Sequence, residues 1–537
     1  MGRGRSVGLT RRELLLGGLG AAASAGLAWR LYEPSPAAHG RILGGIVGAS
    51  HVPGHRLRDG RFPQPSSTES VGVAIVGGGV AGLSAAWRLA KRGRTDFRVF
   101  ELEPREGGTS AWGANGTTRY PWGAHYLPVP GPDAVWVREL LEEMGVLEGR
   151  GADGEPIYGE RHLCFDPEER LFLDGKWREG LFPGDGASED DLAQSRRFRE
   201  AMTRHRGMRD SSGRRAFAIP IEASSRDAEL LALDRTTMAA FLDSLGITSK
   251  RVRWWVEYAC RDDFGCSLAT TSAWAGIHYW ASRVEDGPLL TWPEGNGRLV
   301  RAMMERIGPR VETGRVAVRV VPEDRGVVID LWDPRTDSVK RVKADHAVLA
   351  VPQFVAARIV EPWRGSAPEW LPSFTYSPWM VANVHVDRLP AGEGFETAWD
   401  NVIYDSEGLG YVVATHQLPR SAPGPSVLTY YRAFVGPDPA AERTRMLSLH
   451  WEDWRDLILA DLSVPHPAIE EVVTRIDVML WAHGMIRPTP EFLWGGLRAR
   501  AAQPLGRLHV AHSDLSGIAL FEEAQYWGVR AAEEILG

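Results

Sequence analysis

Cysteine and lysine are scarce in this chain of 537 residues, which has three cysteines and five lysines. The cysteines (Cys164, Cys260 and Cys266) are too few for a disulfide framework, although one bridge between Cys260 and Cys266 stays open if the protein is exported. No Cys/His spacing suggests a metal site, so none is predicted. A net charge of −7 gives no reason to expect nucleic acid as a partner.

A long hydrophobic run is also missing. The apolar stretch over residues 14–28 ends at Arg30. Fifteen helical residues span about 22 Å, short of the roughly 30 Å hydrocarbon core of a bilayer. That length is typical of a signal peptide rather than a stable membrane span. The preceding Thr10-Arg11-Arg12-Glu13-Leu14-Leu15 resembles a twin-arginine export signal.

This signal implies export by the twin-arginine machinery to the periplasm or to the outer face of the cytoplasmic membrane. Only the N-terminal segment, if it is not cleaved, would then contact the membrane. With no cysteine before Cys164, a lipoprotein anchor is excluded. Residues 1–34 are interpreted as the signal or a possible anchor, and residues 35–70, which contain several prolines, as a loose linker.

A glycine-rich turn follows this linker. Residues 71–76 predict a strand, Gly77-x-Gly79-x-x-Gly82 forms a turn, and an alanine-rich helix runs to about Lys91. Gly77 permits a tight turn, Gly79 lets the backbone approach a pyrophosphate, and Gly82 lets the helix pack on the strand. The free N–H groups of the helix N-terminus would face the phosphates.

An acidic residue follows at the distance expected for a ribose ligand. Residues 97–101 predict the second strand, and Glu101 lies 19 residues after Gly82. A carboxylate there can accept hydrogen bonds from an adenosine ribose. Together these features predict a dinucleotide site, and the alternative is a glycine-rich turn in an ordinary βα unit.

Further segments make the chain resemble the flavin amine oxidase and phytoene desaturase superfamily. They occur in the family's order: Gly107-Gly108, the run Gly123-Ala124-His125-Tyr126, residues 293–300, Arg315-Val316, residues 344–352, residues 506–514 and residues 522–532. The resemblance implies an α/β fold, in which a Rossmann-like FAD-binding domain is interleaved with an α+β substrate domain built on an antiparallel sheet. The FAD-binding domain would comprise residues 71–130, 286–355 and 496–537, and the substrate domain residues 131–285 (mainly helical) and 356–495.

The resemblance also implies which residues bind FAD. They are Gly77, Gly78, Gly79, Ala81, Gly82, Glu101, Gly107, Gly108, Gly123, Ala124, Val316, Asp514 and Ala524. No cysteine follows Cys266, which excludes a C-terminal cysteinyl–flavin bond, so non-covalent FAD is expected. Near the flavin ring, His125 and Tyr126 are the candidate catalytic residues. His125 could be an acid/base, or a structural histidine that bonds to the backbone.

The chain departs from the family at several positions. Thr109 and Ser110 follow the Gly-Gly turn where the family usually has an arginine, and Asp514 stands where a glutamate is more usual. Leu520 occupies the position of an aromatic cage residue, and no lysine is an obvious partner for flavin N5.

These departures disfavour a small amine as the substrate. The expected function is therefore an exported FAD-dependent oxidoreductase that takes a bulky or apolar small molecule. An amine or amino-acid oxidase and a non-catalytic binding protein on the same fold are the alternatives.

Overall fold

Two large β-sheets organise the chain in a computed structural model, which describes residues 41–152, 154–283, 287–419 and 424–537. One sheet has seven strands and the other has eight. The predicted α/β architecture with a second, largely antiparallel sheet is confirmed.

The seven-stranded sheet forms around the predicted glycine-turn strand. Residues 73–76 are fully or almost fully buried, which explains why that segment is a continuous apolar run. The strands, in spatial order, are β12 (Val311–Glu312), β3 (Phe97–Phe100), β2 (Pro65–Val76), β15 (Ser338–Leu349), β14 (Gly326–Asp333) and β13 (Val316–Glu323), with β21 (Leu508–Val510) also on β15. β12, β3, β2, β15 and β21 pair in parallel, whereas β13, β14 and β15 form an antiparallel meander.

Three helices form the layer next to the parallel strands. They are α2 (Val80–Lys91), α9 (Gly297–Ile307) and the C-terminal α16 (Phe521–Leu536). α2 and α16 cross closely at Gly528, where an added Cβ would lie 2.1 Å from the carbonyl oxygen of Ala81. The last segment of the chain is thereby held against the first helix of the glycine motif.

The eight-stranded sheet is mainly antiparallel. Its strands, in spatial order, are β1 (Leu43–Gly48), β20 (Val473–Ile486), β16 (Tyr376–Val386), β19 (Ser426–Ala433), β18 (Tyr411–Val413), β17 (Asp400–Ile403), β9 (Glu169–Leu173) and β10 (Lys176–Glu179). Only the β1–β20 and β17–β9 pairs are parallel. Three further two-stranded antiparallel pairs are β4 (Trp112–Ala114) with β5 (Arg119–Pro121), β6 (Tyr126–Pro128) with β11 (Leu289–Thr291), and β7 (Leu147–Arg150) with β8 (Pro156–Tyr158).

The remaining helices lie mainly between and behind the sheets. They are α1 (His51–Asp59), α3 (Val135–Glu143), α4 (Glu189–Gly207), α5 (Ala228–Ala232), α6 (Met238–Ser244), α7 (Lys250–Phe264), α8 (Ala273–Ala281), α10 (Gln353–Ile359), α11 (Glu361–Gly365), α12 (Pro439–Ser448), α13 (Trp451–Ser463), α14 (Ile469–Val472) and α15 (Leu497–Ala501). Among the residues described, no helix is both long enough and apolar enough to span a membrane.

The prediction of a loose linker over residues 35–70 is wrong from Leu43 onward, and the earlier part lies outside the described residues. β1 joins the edge of the eight-stranded sheet, α1 follows, and β2 already begins at Pro65. Pro65 is compatible with a strand because it is the first residue, where no N–H is needed. Tertiary pairing therefore orders a segment whose composition alone is typical of a loop.

The cysteine bridge that the sequence left open is not formed. Cys260 and Cys266 are both buried free thiols, and the guanidinium of Arg487 donates to the Cys266 sulfur at 3.3 Å. Within the described ranges, no group of three or more His, Cys, Asp or Glu residues is arranged to hold a metal.

Candidate functional site

The glycine turn has no room for side chains at two of its three key positions. Gly77 has a φ of 106°, and a Cβ there would lie 2.2 Å from the carbonyl oxygen of Ala350. At Gly82 a Cβ would lie 1.9 Å from the carbonyl oxygen of Gly77. By contrast, the nearest atom to a Cβ on Gly79 is 3.9 Å away. The turn is thus packed where the sequence predicts packing and open where it predicts a pyrophosphate.

Helix α2 begins beside this opening. Its first backbone hydrogen bond runs from Leu83 N–H to the Gly79 carbonyl at 3.0 Å. The N–H groups of Val80, Ala81 and Gly82 precede that bond, so the helix itself does not use them. They are the donors that a phosphate at a helix N-terminus needs.

Glu101 lies directly under the turn. One carboxylate oxygen accepts from the Gly78 N–H at 2.6 Å, and the other accepts from the Glu103 N–H at 2.7 Å. Burial raises the pKa of Glu101 to about 7 despite these bonds. The sequence-predicted carboxylate is therefore in contact with the glycine turn and retains lone pairs for a ribose hydroxyl.

The Gly107-Gly108 pair contacts the glycine turn, and we call these two segments together the glycine cradle. Gly107 forms an isolated parallel β-bridge with Gly79, and the Gly107 N–H donates to the carbonyl of Gly78 at 2.8 Å. Gly107 and Gly108 both have positive φ, at 118° and 57°. These conformations favour glycine, which explains the Gly-Gly pair without any reference to a ligand.

The run from Gly123 to Tyr126 continues from this cradle. A Cβ on Gly123 would lie 2.2 Å from the Thr109 carbonyl oxygen, and the Ala124 N–H donates to the same oxygen at 2.9 Å. The Ala124 carbonyl accepts from Asn296 N–H at 3.0 Å. Gly123 and Ala124 are thus fixed by backbone contacts to Thr109, which follows the Gly-Gly pair, and to Asn296, in the later glycine-containing turn.

The other predicted cofactor residues lie at separate points of the same domain. Val316 begins β13, next to Arg315, whose N–H donates to the Glu101 carbonyl at 2.8 Å. Ala524 lies buried in the first turns of α16. Asp514 is buried, but its carboxylate already accepts from the Tyr376 hydroxyl at 2.5 Å and from the Gln353 N–H at 2.9 Å.

Two buried polar atoms beside these residues support a polar ligand. Gln353 Nε2 and Asn296 Oδ1 are enclosed and have no hydrogen-bond partner in the described part of the chain. Gln353 adjoins Asp514, and Asn296 adjoins Ala124. Buried polar groups are rarely left unpaired, so the residues fit a cofactor that carries hydroxyl and phosphate groups.

His125 lies on an aromatic wall. Its ring centre is 4.6 Å from that of Tyr431, 5.5 Å from that of Trp399 and 5.0 Å from that of Tyr126. Burial lowers the pKa of His125 to about 4, although its hydrogen bond to the Gly123 carbonyl opposes the shift. His125 is thus packed among aromatic rings, with part of its own surface exposed.

Tyr126 belongs to the same aromatic wall. It is half-buried, and burial raises its pKa well above the ordinary value, with a further contribution from Asp262. Its hydroxyl is therefore protonated at neutral pH and can donate, but it is not a base.

Two residues of this aromatic wall, Trp399 and Tyr431, were not predicted from the sequence. Tyr431 donates its hydroxyl to the Gly123 carbonyl at 2.9 Å. Its neighbour on β19, Tyr430, points to the opposite face and donates to Asp461 at 2.8 Å. The period-two alternation of a strand was the available signal, but it does not show which face meets the cofactor.

All five lysines lie in the described part of the chain. Lys176, Lys250 and Lys343 are exposed. Lys91 pairs with Glu139 at 2.6 Å, and Lys340 pairs with Glu69 at 2.9 Å. Leu520, half-buried, directly precedes α16 and packs against the main core.

Comparison with known proteins adds a family and a fold. Residues 80–536 match the family described as flavin containing amine oxidoreductase. The chain is similar to a solved putrescine oxidase triple mutant at 17% identity and a TM-score of 0.64, covering 87% of this chain and 99% of that one. It is also similar to cyclohexylamine oxidase from Brevibacterium oxydans, at 16% identity and a TM-score of 0.59, covering 87% and 99% of the two chains. A fatty acid isomerase from P. acnes is similar at 16% identity and a TM-score of 0.59, covering 86% and 98%.

Proposed function

Since the chain belongs to the family of flavin-containing amine oxidoreductases, we propose that it is an exported FAD-dependent oxidoreductase that dehydrogenates a bulky organic substrate. One observation carries this proposal. Residues 123–126 contact the Gly-Gly turn through Thr109 at one end and bear the aromatic wall at the other. A cofactor held in the glycine cradle would therefore extend toward the aromatic wall.

Binding and chemistry are divided between the chain and its cofactor. The glycine turn, the α2 N-terminus and Glu101 would hold the dinucleotide part of a non-covalently bound FAD. Bound FAD supplies the acceptor for a hydride, at flavin N5, when a substrate C–H bond breaks. His125 is neutral at pH 7, because burial keeps its pKa at about 4. With one ring N–H bonded to the Gly123 carbonyl, its other nitrogen is available to accept a substrate proton.

The large rings support a bulky substrate. His125, Trp399, Tyr431 and Tyr126 offer broad, flat surfaces, which gain most from covering an extended apolar body. Leu520 adds an aliphatic side chain near α16 rather than an aromatic face. An amine or amino-acid oxidase is the second candidate, since the names of two similar solved proteins specify amines. A non-catalytic binding protein on the same fold is the third.

Export is proposed on the sequence alone. Arg11 and Arg12 precede an apolar stretch of signal-peptide length, and they lie outside the described residues. The twin-arginine route carries folded proteins, which suits a chain that has to acquire FAD before it leaves the cytoplasm.

Anaerobic reduction of the bound flavin tests the enzymatic proposal. The purified protein should be yellow and release FAD, not FMN, on denaturation. Bulky hydrocarbon or aromatic substrates should bleach the flavin, whereas benzylamine-like or putrescine-like compounds should not. Without oxygen the flavin is the only oxidant, so each bleached flavin reports one substrate oxidised.

A matched pair of variants tests the site. His125→Ala should retain FAD and slow bleaching on the order of a hundredfold. His51→Ala, at an exposed position on α1, should leave the rate unchanged. A colourless protein that cannot be reconstituted would favour the binding-protein alternative, and fast bleaching by small amines would favour the amine oxidase.

A further inference from the structure

Two histidines lie side by side where β15, β21 and α16 meet. His346 belongs to β15 and His509 to β21, and these two strands pair in parallel. His346 Nδ1 and His509 Nε2 are 3.2 Å apart, and the two ring centres are 5.5 Å apart. His509 is buried and His346 is half-buried. Neither residue takes part in the function proposed above.

A charged side chain holds each end of this histidine pair. Arg507, an exposed residue directly before β21, has its Nη1 2.9 Å from His346 Nε2. At the other end, His509 Nδ1 lies 2.9 Å from carboxylate oxygen Oε2 of Glu534, on α16. Arg530, one helical turn earlier on α16, donates to the other oxygen of Glu534 at 3.0 Å. We name these five residues the histidine chain.

The charged ends of the histidine chain determine where each ring carries its hydrogen. An arginine can only donate, so His346 Nε2 is without hydrogen and the hydrogen of that ring is on Nδ1. His346 Nδ1 therefore donates to His509 Nε2. The hydrogen of His509 is then on Nδ1, from which it donates to the Glu534 carboxylate, and this bond lowers the pKa of Glu534. Both rings are thus neutral, and both of their bare nitrogens already accept a hydrogen bond.

Uptake of one proton must therefore break the histidine chain. A proton on His346 Nε2 would face the guanidinium of Arg507. A proton on His509 Nε2 would face the Nδ1–H of His346. In either case one hydrogen bond is lost and two donors point at each other, which is unfavourable in a partly buried place.

The surroundings keep His346 neutral at pH 7. Burial lowers the pKa of His346, and His509 and Arg507 add to this shift. Arg94, from the loop after α2, lowers the pKa further, whereas Asp345 raises it. The histidine chain is therefore intact at neutral pH and takes up a proton only in acid.

The three elements that the histidine chain joins all lead to predicted cofactor residues. β15 ends at Leu349, and the next N–H, that of Ala350, donates to the Val76 carbonyl at 2.8 Å, directly before the glycine turn. β21 ends four residues before Asp514, and α16 carries Ala524 in its first turns. A change in how these elements pack on one another would therefore reach the cofactor site.

We infer that the histidine chain is a pH-sensitive switch, in which a proton taken up in acid loosens the contact of β21 and α16 with β15 and so weakens binding of the cofactor. The proton comes from solvent, which reaches the chain at the exposed Arg507. The effect on FAD rests on the proposed function, whereas the switch itself does not.

The sign of the pH dependence follows from His346. Its pKa in the folded protein is below the ordinary 6.5, so the unfolded chain takes up the proton first as the pH falls. The stability that His346 contributes is present above the unfolded pKa and is lost as the pH falls below it. One such group changes the equilibrium constant of unfolding by at most about tenfold per pH unit.

The first test compares urea unfolding of the unmodified protein and of His346→Asn. The asparagine amide can donate to His509 in place of Nδ1, but it does not titrate. From about pH 7.5 to about pH 5.5, the unfolding constant of the unmodified protein should rise roughly three- to tenfold more than that of the variant. His51→Asn, at an exposed position on α1, is the matched control and should follow the unmodified protein. Parallel pH curves for His346→Asn and the unmodified protein would overturn the switch.

The second test removes the cation that faces His346 while both histidines stay in place. In Arg507→Met, His346 Nε2 can take up a proton without meeting another donor, so the acid sensitivity should fall toward that of His346→Asn. Arg507 is exposed, which keeps the risk to folding low, so this variant decides if His346→Asn does not fold. Arg61→Met, also exposed, is the control and should keep the full acid sensitivity. Full sensitivity in Arg507→Met would contradict the inference.

Release of FAD, followed by its fluorescence, tests the link to the cofactor. The unmodified protein should release FAD roughly three- to tenfold faster at about pH 5.5 than at about pH 7.5, and His346→Asn should show a smaller ratio. The same ratio in both proteins, on yellow FAD-loaded samples, would overturn this link and leave the oxidoreductase proposal intact. A protein that shows the expected unfolding curves but binds no FAD would retain the switch and remove the oxidoreductase.

Discussion

At the scale of single residues, the carboxylate of Glu101 has the clearest structural position. One of its oxygens accepts from the Gly78 N–H in the glycine turn. The other accepts from the Glu103 N–H, at the start of the loop that leads to the Gly-Gly pair. The spacing after Gly82 was sufficient to predict this residue, because a βαβ unit fixes where the second strand ends. Its bonds to backbone N–H groups could not be predicted, since they depend on the path of the loop.

We predict that Glu101→Ala weakens FAD binding without unfolding the apoprotein. Losing an acceptor that is charged when it binds a ribose costs about 1.5–3 kcal/mol, or roughly ten- to a hundredfold in affinity. Titration of the apoprotein with FAD measures the dissociation constant directly. Glu106→Ala, at a half-buried position in the same loop, is the control and should bind FAD normally. An unchanged constant for Glu101→Ala would show that this carboxylate does not contact the ribose.

The aromatic wall could not be assembled from the sequence. Tyr431 comes from a strand, Trp399 from the residue before another strand, and His125 from a loop segment. Each looks ordinary in its own segment. The three rings meet only in the folded chain, which is a tertiary event with no local sequence signal.

The protonation of Asp262 leads to a prediction on stability. Its pKa is about 7 in the folded protein and 3.8 ordinarily, so the folded state binds a proton that the unfolded state has lost. This stabilisation is fully present below the unfolded pKa and is lost as pH rises through the folded pKa. Linkage limits the slope to about 1.4 kcal/mol per pH unit. Asp262→Asn cannot titrate, so its stability relative to the unmodified protein should increase as pH rises.

Urea denaturation of both proteins near pH 5 and pH 8 checks this sign. We expect a relative gain for Asp262→Asn of about 1–2 kcal/mol between the two conditions, less than the linkage limit because the side chain is only half-buried. Parallel pH profiles for the two proteins would mean that Asp262 is ionised throughout this range.

At the scale of elements, periodic segments were predicted better than irregular ones. The alternating pattern of residues 380–386 predicts a strand, which lies within β16, and the pattern of residues 135–144 predicts a helix, which corresponds to α3. The sequence also predicts one helix over residues 442–462, where the structure has two, α12 and α13, which break near Leu449. β1 and α1 were not predicted, because their glycines, proline and short lengths hide the hydrophobic periodicity of a strand or a helix. β1 is held instead by pairing with β20.

The crossing of α2 and α16 depends on Gly528. A Cβ at this position would lie 2.1 Å from the Ala81 carbonyl oxygen and 2.9 Å from Ser84 Cβ, so backbone would have to move. Gly528→Ala should therefore lower the free energy of unfolding by about 1–3 kcal/mol. Because α2 begins at the glycine turn that we propose binds the FAD pyrophosphate, FAD affinity should fall as well.

Gly207→Ala is the control variant for Gly528→Ala. Gly207 is the last residue of α4, and a Cβ there meets nothing within 4 Å. This variant should be neutral or slightly stabilised, because alanine restricts the unfolded chain more than glycine does. Thermal and urea unfolding of the two variants measures the difference, and equal stability of both would mean that the helices can separate at no cost.

At the scale of the whole molecule, the chain alternates between two sheets. The glycine motif predicts the parallel part of the first sheet, and alternating segments predict the antiparallel strands of the second. The seam between the sheets was not predictable, since it is built from segments far apart in sequence. The N-terminal residues illustrate this. β1 belongs to the second sheet, whereas Ser50, just after it, donates to the Glu103 carboxylate, which follows strand β3 of the first sheet. The Ser50 N–H donates at 2.8 Å and its hydroxyl at 2.7 Å.

The position of β1 sharpens the export prediction. Within the described residues the first strand, β1, begins at Leu43, so residues that act only as an address are expected before it. We predict that replacing Arg11 and Arg12 by lysines retains the protein in the cytoplasm, folded and flavin-bound, because a receptor reads the pair while folding depends on later residues. Cell fractionation combined with the flavin spectrum measures both properties. Replacing Arg3 and Arg5 by lysines makes the same change in side chain outside the pair and should leave export unchanged. If the two double variants distribute alike, the N-terminus is an arginine-rich tail and not a twin-arginine signal.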